Sequence, residues 1–146
     1  MTLKILRGVW FVSSLGALAA LLTVYAGLPE EVSLYQHDLE FISVSREAFF
    51  YLTLAIITLT NALVYVMRTL FEKEEAMRAW FHGLVVTLNV FFVVTLFFVS
   101  AYNTSERFDF QRIGPFIYAS VILVMAWALF WPFRMVIRKI LTKPSV

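Results

Sequence analysis

Four long apolar stretches limit what this chain can fold into. They cover about residues 8–27, 48–70, 79–101 and 113–133, and none of them has an Asp, Glu, Lys or Arg in its interior. The hydrocarbon core of a bilayer holds no water to bond the backbone, so a segment that crosses it must be helical and about 20 residues long. The sequence therefore predicts an all-α polytopic membrane protein, a single domain over 1–146 whose four transmembrane helices form two hairpins.

The composition supports a membrane environment and excludes several other classes. Hydrophobic residues make up 61% of the chain and charged residues 15%, against about 45–50% and about 25% in soluble domains. That leaves too little polar surface for a soluble enzyme, a disordered chain, a collagen or a coiled coil. The absence of cysteine excludes disulfides, thiolate catalysis and iron–sulfur or Cys-type zinc sites.

The first apolar stretch has two interpretations. Lys4 and Arg7 precede it, and the run from Val24 to Ala26 near its end is also typical of the cleavage site of a secretory signal. We interpret the stretch as a retained membrane anchor, with the cleaved signal sequence as the alternative.

The basic residues predict how the chain is oriented. Nine of the 12 Lys and Arg lie at the N-terminus, in the second loop or after the fourth stretch, and the other three lie in the first and third loops. Because Lys and Arg near span ends are retained in the cytoplasm, we expect both termini inside and two exported loops, most simply in a bacterial inner membrane. The net charge of +2 hides this asymmetry and does not indicate nucleic-acid binding.

The segment after Pro132 predicts a separate interfacial helix over about 133–142. It combines apolar residues with the cations Arg134, Arg138 and Lys139. Such cations lie close to anionic headgroups, where each contributes about 1 kcal/mol. We therefore expect these three side chains to contact anionic lipids at the cytoplasmic face.

Few residues in the sequence can carry chemistry. Its two histidines, His37 in the first loop and His82 near the start of the third stretch, cannot ligate one buried haem together. No ionisable residue lies at mid-depth, where pumps and proton-coupled carriers usually need one. We predict no enzyme, cofactor or metal site; a membrane enzyme using Glu47 or His82 is the least favoured alternative.

Two other groups of polar or small residues predict helix contacts. Asn61 and Asn89 are the deepest polar groups, and we expect an interhelical hydrogen bond between them, with ligand orientation as the alternative. Small residues let helix backbones approach closely. The first stretch therefore predicts a packing stripe against another helix, of this chain or of a partner, formed by Gly8, Ser13, Gly16, Ala17 and Ala20.

The two halves of the sequence share spaced landmarks. Arg46 and Arg112 are 66 positions apart, and so are Arg68 and Arg134. We predict a possible parallel tandem repeat of two hairpins, related by an axis along the membrane normal. The alternative is that Arg and Trp recur at these depths because membrane interfaces favour them.

The first loop carries a resemblance to a known family. The segment Leu28-Pro29-Glu30-Glu31-Val32, between two spans over 8–70, resembles a bacterial domain of unknown function whose exported loop begins Leu-Pro-x-x-Val-Pro-x-His. That domain also occurs in the immunity protein against the sporulation-delaying toxin. Ser33 and Tyr35 stand where its Pro and His stand. The resemblance implies a membrane receptor or immunity-type role with the first loop as recognition surface.

Two functions follow from these features. The first is a non-catalytic structural or accessory subunit, which packs against other membrane subunits or further copies of itself. The second is a receptor or immunity-type protein that senses a small ligand or toxin at its exported face. For that site the candidate contacts are Arg46, Glu47 and Arg112 at the exported ends of the second and fourth spans, under a first loop that forms either an ordered cap or a spacer on the headgroups.

Overall fold

The computed structural model describes residues 2–37, 40–104 and 110–141, with the backbone alone described at 35–37, 40–41, 110–111, 136, 138–139 and 141. The described elements are, in chain order, α1 (Thr2–Gly27), β1 (Glu31–His37), β2 (Glu40–Ser45), α2 (Arg46–Leu70), α3 (Glu75–Asn103) and α4 (Phe110–Leu141).

All four helices are long and apolar enough to cross a membrane. The prediction of an all-helical integral membrane protein is therefore confirmed. At most of their ends the helices run beyond the apolar stretches into charged sequence. At the start of α2, for example, the hydroxyl of Ser45 accepts a hydrogen bond from the backbone N–H of Ala48, and this cap begins the helix before its apolar part.

Helix α3 is the central helix of the bundle. It packs along α1, α2 and α4, and its most extensive contact is with α1 rather than with its hairpin partner α4. Among the described elements, α4 contacts α3 alone. Helix α3 therefore joins the helix pair α1–α2 to α4. Helix α4 lies at the edge of the bundle, with most of its apolar surface facing outwards.

The first loop forms a β-hairpin on one end of the bundle, which we call the hairpin end; the opposite end is the termini end. The strands pair antiparallel from Glu31↔Ser45 to His37↔Glu40, with a bulge between Ser33 and Tyr35. Val32 is fully buried in the same hydrophobic cluster as helix residues of α1, α2 and α3. The hairpin is therefore packed onto the helices, as expected of an ordered cap.

Helix α4 differs from its prediction at the termini end. It continues without a break through Pro132 to Leu141, so residues 133–141 are helical but continuous with the span, and their place at a membrane interface stays a prediction. One proline removes a single backbone hydrogen bond, and membrane helices tolerate this. The side chains of Arg138 and Lys139, and residue 142, lie outside what the structure describes.

Candidate functional site

The largest polar cluster that hydrogen bonds join among the described residues lies between α1, α2 and α3 and is partly buried. It contains Trp10 and Ser13 of α1, Asn61 of α2 and Asn89 of α3, which we call the polar network. Asn89 is the middle residue of α3, and none of its surface is exposed. The network therefore joins three helices at a depth where an unpaired polar group is costly.

The two asparagines form the centre of the polar network. The amide nitrogen of Asn61 donates to Oδ1 of Asn89 at 2.9 Å, and the amide nitrogen of Asn89 donates back to Oδ1 of Asn61 at 3.0 Å. The structure thus brings together the two residues that the sequence indicated as partners. Each amide also uses its second N–H, Asn61 to the backbone carbonyl of Ile57 at 2.9 Å and Asn89 to Oγ of Ser13 at 3.0 Å.

The two residues of α1 complete the polar network. The indole nitrogen of Trp10 donates to Oδ1 of Asn61 at 2.9 Å, and the hydroxyl of Ser13 donates to the backbone carbonyl of Trp10 at 2.9 Å. An indole N–H is only a donor, so it fixes which end of the Asn61 amide is the oxygen. All six N–H and O–H hydrogens of these four described side chains therefore have an acceptor within the protein.

This saturation determines what the polar network can do. A ligand that accepts hydrogen bonds from these side chains would have to break an existing one, because each of their donors already has an acceptor within the described residues. Interhelical hydrogen bonds of this kind contribute about 0.6 kcal/mol on average and up to about 1.7. The geometry therefore fits the tethering of three helices better than the orientation of a ligand.

His82 lies beside the polar network and is 4% exposed. Its Nδ1 lies 2.6 Å from the backbone carbonyl of Arg78, and its ring meets that of Trp10 edge-on at 5.8 Å between centroids. Across the described ranges, no group of three metal-ligating side chains comes together. His82 is therefore packed as part of the helix contact.

A second pair of polar contacts joins α3 to α4. The indole nitrogen of Trp80 donates to the backbone carbonyl of Trp127 at 3.0 Å, and the indole nitrogen of Trp127 donates to the carbonyl of Trp80 at 2.9 Å. The ring of Trp127 lies directly over Gly83, where an added Cβ would come within 2.8 Å of its Nε1. Gly83 is therefore required for the close approach of α4.

The predicted packing stripe of α1 is divided in two. Ala17 and Ala20 are buried in the core cluster and Ser13 joins the polar network. Gly8 and Gly16 are exposed, and a Cβ added to either would meet nothing within 4 Å. Within this chain, then, the two glycines do not serve a close helix contact, and a contact of theirs with a partner stays a prediction.

The predicted ligand contacts at the hairpin end do not form one site in this chain. Arg46 lies over the ring of Tyr25 at 5.2 Å, donates to the carbonyl of Leu28 at 3.4 Å and pairs with Glu47 at 4.0 Å. Arg112 is exposed on α4, which has no contact with α2 among the described elements. Arg46 therefore holds the end of α1, and Arg112 stands apart from it.

Asn103 fixes the hairpin to the end of α3. Its Oδ1 accepts from the backbone N–H of Ser33 at 2.7 Å, and its Nδ2 donates to the carbonyl of Ser33 at 3.0 Å and to that of Val99 at 2.9 Å. The side-chain amide thus pairs with Ser33 as a neighbouring strand would. The sequence analysis missed this contact, although Asn103 follows the end of the third apolar stretch by two residues.

The described residues define the class of this protein: an integral membrane protein of four helices, joined inside by interhelical hydrogen bonds and carrying a β-hairpin at one end. Comparison with known proteins gives no match, since no family model, curated protein or solved structure is significantly similar to the chain. The resemblance of residues 8–70 to the immunity-protein domain therefore stays a prediction.

Proposed function

We propose that this protein is a non-catalytic accessory subunit of a larger membrane assembly, with the hairpin end as its main contact surface. The observation that carries the proposal is a contrast between interior and surface. The interior polar side chains of the polar network bond one another, while large apolar side chains stand exposed on the hairpin, beyond the spans. The first property supports a structural role, and the second supports a protein partner.

Leu34 and Ile42 are the large exposed apolar side chains of the hairpin among the described residues. Leu34 is 43% exposed at the bulge of β1, and Ile42 is 55% exposed on β2. Exposed apolar side chains of the helices are covered by lipid, but these two belong to strands that follow and precede the membrane-spanning helices. Covering them with a partner would contribute about 25 cal/mol per Å² of apolar surface removed from water.

The proposed orientation places this surface outside the cell. The excess of Lys and Arg on the loops of the termini end supports cytoplasmic termini. In that orientation the hairpin faces the exported side of a bacterial inner membrane. A partner would then be another membrane subunit, or a further copy of this chain, that presents an apolar surface there.

The experiment is extraction from native membranes in a mild detergent, followed by measurement of the mass of the purified particle. We expect a defined particle heavier than one 16.9 kDa chain, which Leu34→Glu with Ile42→Glu reduces to single chains. Ser43→Glu, an exposed position on the same strand, is the matched control and should leave the particle intact. A wild-type protein that is a monodisperse monomer would contradict the proposal.

The hairpin also supports a second candidate, a receptor or immunity-type protein that binds a toxin or small ligand. The segment with the family resemblance is the one that folds into the ordered hairpin. Arg112 is the residue to change, because Arg46 contacts the end of α1 and its substitution would affect folding as well as binding. Charge reversal by Arg112→Glu should abolish binding of an anionic ligand without loss of folding, and unchanged binding would reject this candidate.

A further inference from the structure

A groove at the termini end opens between the start of α1, the start of α3 and the end of α4. Its volume is about 420 Å³, within the range of small-molecule sites. Its walls are apolar and largely aromatic, formed by Leu6, Ala79, Trp80, Trp127, Phe130 and Trp131. Along α4 the groove runs from Arg134 to Trp127, about 10 Å at 1.5 Å per residue.

The aromatic walls present carbon surface to an occupant. The indole N–H groups of Trp80 and Trp127 are bonded to each other's backbone carbonyls, so neither is available to a ligand. What remains is a slot suited to a hydrocarbon chain. Tryptophan is also enriched where the hydrocarbon core meets the headgroups, so the slot lies at the depth at which an acyl chain joins its headgroup.

Two charged residues of opposite sign line the same groove. Glu75, in the first turn of α3, and Arg134, near the end of α4, are both exposed. Neither forms an ion pair within the part of the chain that the structure describes. The groove therefore offers one free carboxylate and one free guanidinium above an apolar slot.

From this arrangement we propose that the groove binds phosphatidylethanolamine, with the lipid phosphate at Arg134, the primary ammonium at Glu75 and the first part of an acyl chain along the tryptophans. Arg is suited to phosphate because its guanidinium forms paired hydrogen bonds to the phosphate oxygens. A primary ammonium supplies N–H donors to the carboxylate, which the quaternary ammonium of phosphatidylcholine lacks. An anionic lipid such as phosphatidylglycerol satisfies Arg134 and leaves Glu75 next to like charge.

This proposal goes beyond the accessory function, which concerns the opposite end of the molecule. It also differs from the general attraction of anionic lipid predicted for Arg134 from the sequence. Glu75 is distant from Arg134 in the sequence but lines the same groove. Its carboxylate changes the expected headgroup from anionic to zwitterionic.

The test is native mass spectrometry of the purified full chain with an equimolar mixture of phosphatidylethanolamine, phosphatidylcholine and phosphatidylglycerol that carry identical acyl chains. We expect a single-lipid adduct in which phosphatidylethanolamine exceeds each other lipid by about three- to fivefold, the range of one partly exposed ion pair. Glu75→Gln should abolish its advantage over phosphatidylglycerol. Arg134→Gln should weaken all three adducts.

Matched controls distinguish the groove from the general charge of the termini end. Glu72→Gln and Arg68→Gln change exposed residues at the same end that do not line the groove, and they should leave the preference unchanged. Ala79→Phe fills the slot and should remove the single adduct while the helical circular-dichroism signal persists. Equal adducts of the three lipids, a preference for phosphatidylglycerol, or an Ala79→Phe protein that keeps the wild-type preference would overturn the proposal.

Discussion

Asn61 and Trp127 lie 66 positions apart, and each accepts a hydrogen bond from the tryptophan near the start of the preceding helix. Trp10 donates to the side chain of Asn61, and Trp80 donates to the backbone carbonyl of Trp127. The same interval separates Arg46 from Arg112 in the sequence. The two donors, Trp10 and Trp80, are 70 positions apart, so only the acceptors keep the interval of 66, and the tandem repeat of two helical hairpins stays a prediction.

The first prediction concerns the centre of the polar network. Asn89→Leu should lower the free energy of unfolding by about 1–3 kcal/mol. It leaves the half-buried amide of Asn61 with an unpaired N–H and removes the hydrogen bond that Asn89 donates to the hydroxyl of Ser13. The measurement is unfolding by increasing SDS in mixed micelles, followed by tryptophan fluorescence.

Thr95 on the same helix provides the control for that measurement. Its hydroxyl oxygen is buried and has no hydrogen-bond partner among the residues that the structure describes. Thr95→Val keeps the shape and removes an unsatisfied polar group, so stability should stay the same or rise. If Asn89→Leu proved as mild as Thr95→Val, the tethering role of the polar network would have to be given up.

The second prediction concerns the contact between α3 and α4. Gly83→Ala should displace the ring of Trp127, because the added Cβ would overlap an indole held by two hydrogen bonds. Overpacking of this kind costs about 1–3 kcal/mol. Since α4 contacts α3 alone among the described elements, we expect α4 to loosen first, seen as a loss of cross-linking between α3 and α4.

Gly16→Ala is the matched control for this substitution. Gly16 is also a helical glycine, but a Cβ there meets nothing within 4 Å. Alanine favours the helix over glycine by about 1 kcal/mol, so this variant should be neutral or slightly more stable. An unchanged α3–α4 cross-link in Gly83→Ala would show that Trp127 does not need the open surface of Gly83.

The third prediction concerns the attachment of the hairpin. Asn103→Leu removes both hydrogen bonds to Ser33, so the backbone N–H of Ser33 should exchange with solvent faster by about fivefold or more, as expected for loss of about 1 kcal/mol. Hydrogen–deuterium exchange of the hairpin peptide measures this. Thr104→Val is the control, since the described hydrogen bonds of the Thr104 hydroxyl go to carbonyls of α3. Equal exchange in the two variants would argue against the attachment of the hairpin through Asn103.

The helices were predictable because transmembrane spans must bury their backbone bonds and cover their surface with apolar side chains, which twenty residues of sequence reveal directly. The contact between Asn61 and Asn89 was also predictable, because amide groups deep in a membrane need hydrogen-bond partners and these two are the deepest polar side chains in the sequence. The continuity of α4 through Pro132 was not predictable, because proline breaks soluble helices more reliably than membrane helices.

The contacts of the tryptophans could not be read from the sequence. Tryptophan near a span end is typical of the membrane interface, where its N–H meets headgroups or water. Trp80 and Trp127 instead bond backbone carbonyls. Every residue has a backbone carbonyl, so the sequence does not show which one accepts the hydrogen bond. The groove was hidden for a related reason, because Glu75 and Arg134 come together only when α3 and α4 are packed.

The last prediction concerns orientation, on which the proposed contact surface depends. The chain has no cysteine, so single cysteines can be introduced at Ser43 on β2 and at Glu72 in the turn between α2 and α3, both exposed positions. Acidic residues contribute little to orientation, so Glu72→Cys leaves the basic residues that set it untouched. We expect a membrane-impermeant maleimide to label Ser43→Cys in intact cells and Glu72→Cys only after permeabilisation. Labelling of Glu72→Cys alone in intact cells would place the hairpin in the cytoplasm and remove the exported contact surface, while the polar network and the groove would remain as described.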